Sequence, residues 1–191
     1  AERYDNHPAL EVIVVDGGSK DQTLSIIKSF GQRVKLMHVP LEKQEAEYNK
    51  GMGVAAAKNE ILLFIDHDNV LPHKNWLKKM VKPLVGDRRI SGVEVLRFKY
   101  NPSDLLLDRY FALLGGVDPV PYYLGKDARL SWAFDRYNLR GEAKDKGDYY
   151  LVKFQPDKIP TLGANGALLR RRLLVHAQTD PEHFFHIDIN V

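Results

Sequence analysis

Two short apolar runs, Val12 to Val15 and Ile61 to Ile65, organise the pattern of this chain. The second is continuous and rich in branched and aromatic side chains, which predicts a strand buried on both faces, as in parallel sheets covered by helices. The first ends in Asp16, Gly17, Gly18 and Ser19, and a helical pattern follows over Thr23 to Phe30, giving strand, tight turn and capped helix. Val34 to Val39, closed by Pro40, reads as the next strand. Glu42 to Lys58 reads as a helical stretch interrupted by Gly51 and Gly53. Three strands separated by helices predict an α/β protein with a doubly wound, mostly parallel sheet and helices on both faces.

Beyond Ile65, Leu71 and Pro72 precede a helix over His73 to Val81, in which Trp76, Leu77, Met80 and Val81 fall at helical spacing. Ile90 to Tyr100 alternates as a strand, and Ser103 to Leu114 as an amphipathic helix stopped by Gly115 and Gly116. From Asp118 to Pro160 the periodicity dissolves. Gly141 to Asp148 has almost no apolar residue, which suggests long loops over the mouth of a site or a partly mobile flap. Order returns at Thr161 to Leu169 and continues into a helix near Arg170 to Ala177. No internal repeat is present.

The 191 residues are enough to bury a substantial core, and 44% hydrophobic with 28% charged residues is a globular composition rather than a disordered one. The absence of cysteine removes disulfides and thiolate metal sites and leans toward a reducing compartment. A formal net charge of +3 is too small to argue for a nucleic-acid partner. The basic runs Arg170 to Arg172 and Lys78 to Lys82 therefore read as solvated helix faces. No run is apolar for long enough to span a bilayer, and no signal peptide is visible.

Chemistry concentrates where the Ile61 strand ends, at Asp66, His67 and Asp68. Open α/β sheets bind ligands outside the carboxyl ends of their strands, so two carboxylates there could hold a divalent cation against a phosphate. An Asp, any, Asp triplet serves equally well as a turn or as a cap for the following helix. His67, between the two, should point away from them if strand geometry persists. Trp132 and Tyr122, Tyr123, Tyr149 and Tyr150 lie in the loop-rich segment, where their rings could stack on a ligand or fill a core.

Taken in order, three segments resemble the GT-A glycosyltransferases of family 2: Val14 to Thr23, with its Asp16, Gly17, Gly18, Ser19 turn; Gly53 to Lys58; and Phe64 to Asp68. Gly163 to Arg171 and Phe184 to Asp188 are similar to that family's acceptor-side elements. The resemblance covers most of the chain. It implies an inverting transfer of a sugar from a nucleotide diphosphate donor, UDP-, GDP- or dTDP-linked, to a hydroxyl of a saccharide, lipid or protein acceptor, helped by Mg2+ or Mn2+. It implies Asp66 and Asp68 as metal ligands, with Asp66 also near the ribose. Asp16, Gly17, Ser19 and Lys50 then fall on the nucleotide sugar, Gly163, Asn165 and His186 on the acceptor, and Asp188 as general base. Family members often carry a second acid where this chain has Gly17, and more often Arg where it has Lys50. His186 could orient the acceptor, ligate metal, or pack against Phe184 and Phe185, and packing is favoured.

The resemblance further implies a single catalytic domain over 1–191, with a nucleotide-sugar half to about residue 100 and an acceptor half beyond it. Relatives begin with another strand and a Pro, Thr or Ser, Tyr, Asn turn, so the expectation is a fragment lacking one wall of the nucleotide pocket and the C-terminal end. The expected location is cytoplasmic, with room for peripheral membrane association through segments outside the chain. The competing expectation is a non-catalytic nucleotide- or glycan-binding domain, a truncated or inactive relative. A nucleotidyltransferase fits less well, because its glycine-rich, Arg-containing opening loop is not seen.

Overall fold

A computed structural model describes residues 10–115, 123–124, 129–133, 141–155, 159–160 and 165–176. The chain forms two compact units, one of residues 1–93 with 168–191, the other of residues 94–167.

In the first unit, β1 (Val12–Asp16) and β2 (Val34–His38) are joined by helix α1 (Thr23–Ser29) and a single 3-10 turn at Gly31–Arg33. The two strands are parallel and in register from Val12 opposite Val34 to Asp16 opposite His38. This is the strand, helix, strand unit that the apolar periodicity predicts. Helix α2 (Ala46–Ala56) follows a 3-10 turn at Leu41–Lys43 and packs on β1. Gly53 is the point of approach, since a Cβ there would lie 3.6 Å from Val15 Cγ2, an ordinary packing distance that a larger side chain would exceed.

β3 (Ile61–Ile65) has the predicted bounds, and α3 (Trp76–Gly86) extends five residues past the predicted end at Val81, running through Pro83. The strand is not buried on both faces as expected: Leu62 is 8% exposed, yet Ile65 is 40% exposed. Sheet order supplies the reason. β3 and β4 (Gly92–Val93) flank β7 (Asn165–Arg170), and the central strand takes the fully buried place, with Leu168 and Leu169 in the core beside Leu84 and Leu174. β4 is far shorter than the predicted Ile90 to Tyr100. It pairs antiparallel with β7, Gly92 opposite Leu169, and a Cβ on Gly92 would fall 2.8 Å from the Leu168 carbonyl oxygen. Helix α5 (Arg171–His176) follows β7.

Arg170 corrects the expectation of a solvated basic face. It is 2% exposed. Its guanidinium donates to the carbonyls of Leu84 (2.6 Å), Ile90 (2.7 Å) and Asp87 (3.2 Å) and to Glu60 Oε1 (2.7 Å). The Leu84 carbonyl lies in the last turn of α3, whose carbonyls have no partners within the helix, so a buried cation there is favourable.

The second unit contains α4 (Leu106–Leu114), which starts three residues later than expected because the Asn101 side chain ties Ser103 and Asp104 into a turn. Gly115 ends it with a left-handed φ of 89°. Leu130 N–H donates to Leu96, and the Ser131 hydroxyl to Leu113. The Arg129 guanidinium pairs with Glu94 at 2.7 Å and lies over the Phe98 ring. Trp132 is occupied locally: its indole N–H donates to the Phe98 carbonyl, and Arg97 covers its ring at 4.5 Å. The segment expected as loop or flap holds an antiparallel hairpin, β5 (Gly141–Asp145) and β6 (Tyr150–Phe154), with Asp145 opposite Tyr150. Most of β5 is exposed, so its backbone ladder, not burial, defines it.

Candidate functional site

At the end of β1 the Asp16 carboxylate folds back onto its own turn. It accepts the Gly18 N–H at 2.9 Å, the Ser19 N–H at 3.2 Å on each oxygen, and the Ser19 hydroxyl. His38, at the matching end of β2, places Nδ1 3.7 Å from the same carboxylate. Asp16 is 5% exposed. The Ser19 hydroxyl holds its carboxyl below the ordinary value near 3.8; burial opposes this, and the Gly18 and Ser19 N–H groups reinforce it. Gly18 makes the turn possible with a φ of 101°. Asp21 accepts the Thr23 N–H at the start of α1.

The place of Gly17 has a local cause. A Cβ at residue 17 would sit 3.0 Å from Asn49 Nδ2, so the Asn49 amide fills the space a side chain there would enter. Among the described residues, Asn49 Oδ1 is buried and accepts no hydrogen bond.

One helical position further on, Lys50 reaches the end of β3. Its Nζ lies 2.8 Å from Glu47 Oε1 and 3.3 Å from Asp66 Oδ1. Burial works to lower the ammonium pKa, but the Glu47 hydrogen bond and the Asp66 charge outweigh it and the net shift is upward. Two sequence candidates, Lys50 and Asp66, are thus in direct contact. The turn after β3 is closed by the Asn69 N–H on the Asp66 carbonyl, and the Asp68 carboxylate accepts Asn69 Nδ2 at 2.7 Å on the exposed side. His67 is exposed.

Among the described residues no three His, Asp or Glu side chains are grouped to hold a metal. The two carboxylates nonetheless suit a hard cation, because Mg2+ is usually held by one or two carboxylates with substrate phosphates and water completing the shell. Asp66 and Asp68 are both at least partly open to solvent. Lys50 is the internal competitor for the first of them.

Asn165 opens β7. Gly163, His186 and Asp188 lie outside the described residues. Glu47, Asn49 and His38 are contacts that sequence reasoning missed. The i, i+3 spacing of Glu47 and Lys50 was a usable signal for the first; the other two depend on pairing between elements.

The sequence profile described as Glycosyl transferase family 2 matches residues 1–174. The chain belongs to glycosyltransferase family 2. Among curated proteins, the Glycosyltransferase AglE of Haloferax volcanii is 30% identical over 106 residues, which take in 52% of this chain and 33% of that protein. The matched part thus spans about a third of the length of this relative. No solved structure matches the chain. Within a family 2 glycosyltransferase domain, the Asp16 turn and the Lys50–Asp66 contact occupy neighbouring elements of one unit, with α2 packed on β1 carrying Lys50 to the end of β3.

Proposed function

We propose that this domain transfers a sugar from a nucleotide diphosphate donor to an acceptor hydroxyl with inversion, using Mg2+ or Mn2+ at Asp66 and Asp68. The observation that carries the proposal is the contact between Lys50 and Asp66 at a strand end of a family 2 chain, a cation and a carboxylate where a diphosphate and its metal would meet. The doubly wound, Rossmann-like arrangement of the GT-A fold belongs to the same proposal, supported by family membership and by the parallel β1–β2 pair.

The leaving group is a diphosphate that gains negative charge as the glycosidic bond breaks. Asp66 and Asp68 would hold a divalent cation, which when bound would supply Lewis-acid stabilisation of those oxygens. Lys50 would add a positive charge beside Asp66. The Asp16 turn offers the base and ribose a rigid wall, since its carboxylate already orders Gly18 and Ser19. By likeness to the family, Asp188 is assigned as the general base that takes the proton from the attacking hydroxyl as the hydroxyl oxygen bonds to the anomeric carbon and the diphosphate leaves. Gly163, Asn165 and His186 are assigned to acceptor binding by likeness to the family. Among the described residues no helix is long and apolar enough to cross a membrane; the proposed location is the cytoplasm, at a membrane face where the acceptor is a lipid.

The test is hydrolysis and transfer with a panel of UDP-, GDP- and dTDP-sugars, with and without Mn2+. Metal-dependent turnover of one donor, abolished by Asp68→Ala in a folded protein, is the expected result. Nucleotide binding without turnover of any donor would replace it with the reading of a non-catalytic binding domain.

A further inference from the structure

Lys50 is placed against the residue proposed to hold the metal, and it is not there alone. Its Nζ sits between two carboxylates, Glu47 at 2.8 Å and Asp66 at 3.3 Å, the three forming one cluster with a single positive charge. A divalent ion bound to Asp66 would stand about 2.0–2.6 Å from its oxygen. The ammonium and that ion would then repel each other at close range. The ammonium is a point charge on a flexible four-carbon stem, so it can leave Asp66 without disturbing the helix that carries it. Glu47, one helical turn back, retains it at a contact shorter than the one it gives up.

We infer that Lys50, held by Glu47, is a tethered cation that competes with the divalent metal for Asp66 and yields it when a diphosphate arrives, coupling metal loading to donor binding. This rests on the reading of Asp66 as a metal ligand. The free protein binds the metal weakly because one of its ligands is already neutralised. An incoming diphosphate draws the ammonium onto its own oxygens, and Asp66 turns to the metal. Because coupling between two ligands is reciprocal, the metal strengthens diphosphate binding by the same factor. Glu47 is a positioning residue: it acts through Lys50 and keeps the ammonium from resting wholly on Asp66.

The experiment is Mn2+ binding to the purified chain without nucleotide, read from the electron paramagnetic resonance of free Mn2+, with circular dichroism confirming that each variant is folded. Lys50→Met is expected to tighten Mn2+ binding about tenfold, a usual size for such coupling. Glu47→Gln is expected to weaken it, an opposite sign that general loosening of α2 would not produce. Lys35→Met, the same charge change at an exposed position of β2, should leave it unaltered. Asp66→Asn should abolish the tightening caused by Lys50→Met. If Asp66→Asn reduces Mn2+ binding but Lys50→Met leaves it unchanged or weaker, the competition is overturned and the metal site stands. If Asp66→Asn changes nothing in either background, or neither wild type nor Lys50→Met binds Mn2+, the metal site itself is refuted and the coupling with it.

Discussion

Replacing Arg170 by Met tests how the first unit is held together. The side chain is almost wholly enclosed and its guanidinium makes four hydrogen bonds, three to backbone carbonyls and one to Glu60. A hydrogen bond to a charged group is worth about 1.5–3 kcal/mol, but bonds sharing one guanidinium are not additive. Removing one member of a buried charged network costs about 3–5 kcal/mol, and Met keeps most of the apolar stem volume, so that range is the expected loss. The Glu60 partner is 66% exposed, so the ion pair itself is a minor part and Glu60→Gln should cost under about 1 kcal/mol. Urea unfolding followed by circular dichroism and by Trp fluorescence measures both. Arg170→Lys should fall between them, since a single ammonium cannot span Leu84, Ile90 and Asp87. A loss under about 1 kcal/mol for Arg170→Met would refute the carbonyl staple. A Glu60→Gln loss equal to that of Arg170→Met would move the effect to the ion pair.

Asp16→Asn should lower stability at neutral pH by about 1–2 kcal/mol, because the carboxylate gathers charge-assisted bonds from Gly18 and Ser19. Its folded pKa lies below the ordinary 3.8, so the unfolded chain takes up a proton first as pH falls. The carboxylate's contribution is therefore whole above pH 3.8 and lost as pH falls through the depressed folded value, and unfolding free energies of wild type and variant should converge in acid. Gly92→Ala should cost about 1–3 kcal/mol in denaturant unfolding, since the new methyl meets the backbone carbonyl of Leu168, which cannot turn aside. Gly17→Asp should cost less stability when Asn49 is also reduced to Ala; a double-mutant cycle in the same assay should show coupling above about 0.5 kcal/mol.

The elements that were legible in the sequence are those whose signal is local. Val12 to Val15 and Ile61 to Ile65 are apolar runs bounded by acids and turns, and β1 and β3 fall on them almost to the residue. The Asp16 turn was legible for the same reason: its hydrogen bonds span two or three residues. Arg170 was misread because its acceptors at Leu84 and Ile90 are at least 80 positions away, and a run of three arginines carries no mark of which one is buried. The β5–β6 hairpin was missed because apolar alternation detects burial, and β5 has little. Its turn chemistry was available: the Asp145 carboxylate accepts the Gly147 N–H, and Gly147 has a φ of 81°. At the candidate site, the strand-end acids could be listed from the sequence, whereas the ammonium resting on one of them required the pairing of α2 with the end of β3.

The position of β7 also bears on how the chain is made. β3 and β4 precede it in synthesis, yet each hydrogen-bonds to β7 and the sheet order leaves a gap between them until that strand exists. Translation at about 5–20 residues per second leaves several seconds between the emergence of Val93 and that of Asn165. During that interval the inner edges of both strands are unsatisfied, and they are open to mispairing or to capture by a chaperone. The sheet of the first unit is therefore completed only when β7 arrives, and Arg170, the final residue of that strand, locks it to α3 and to the segment before β4.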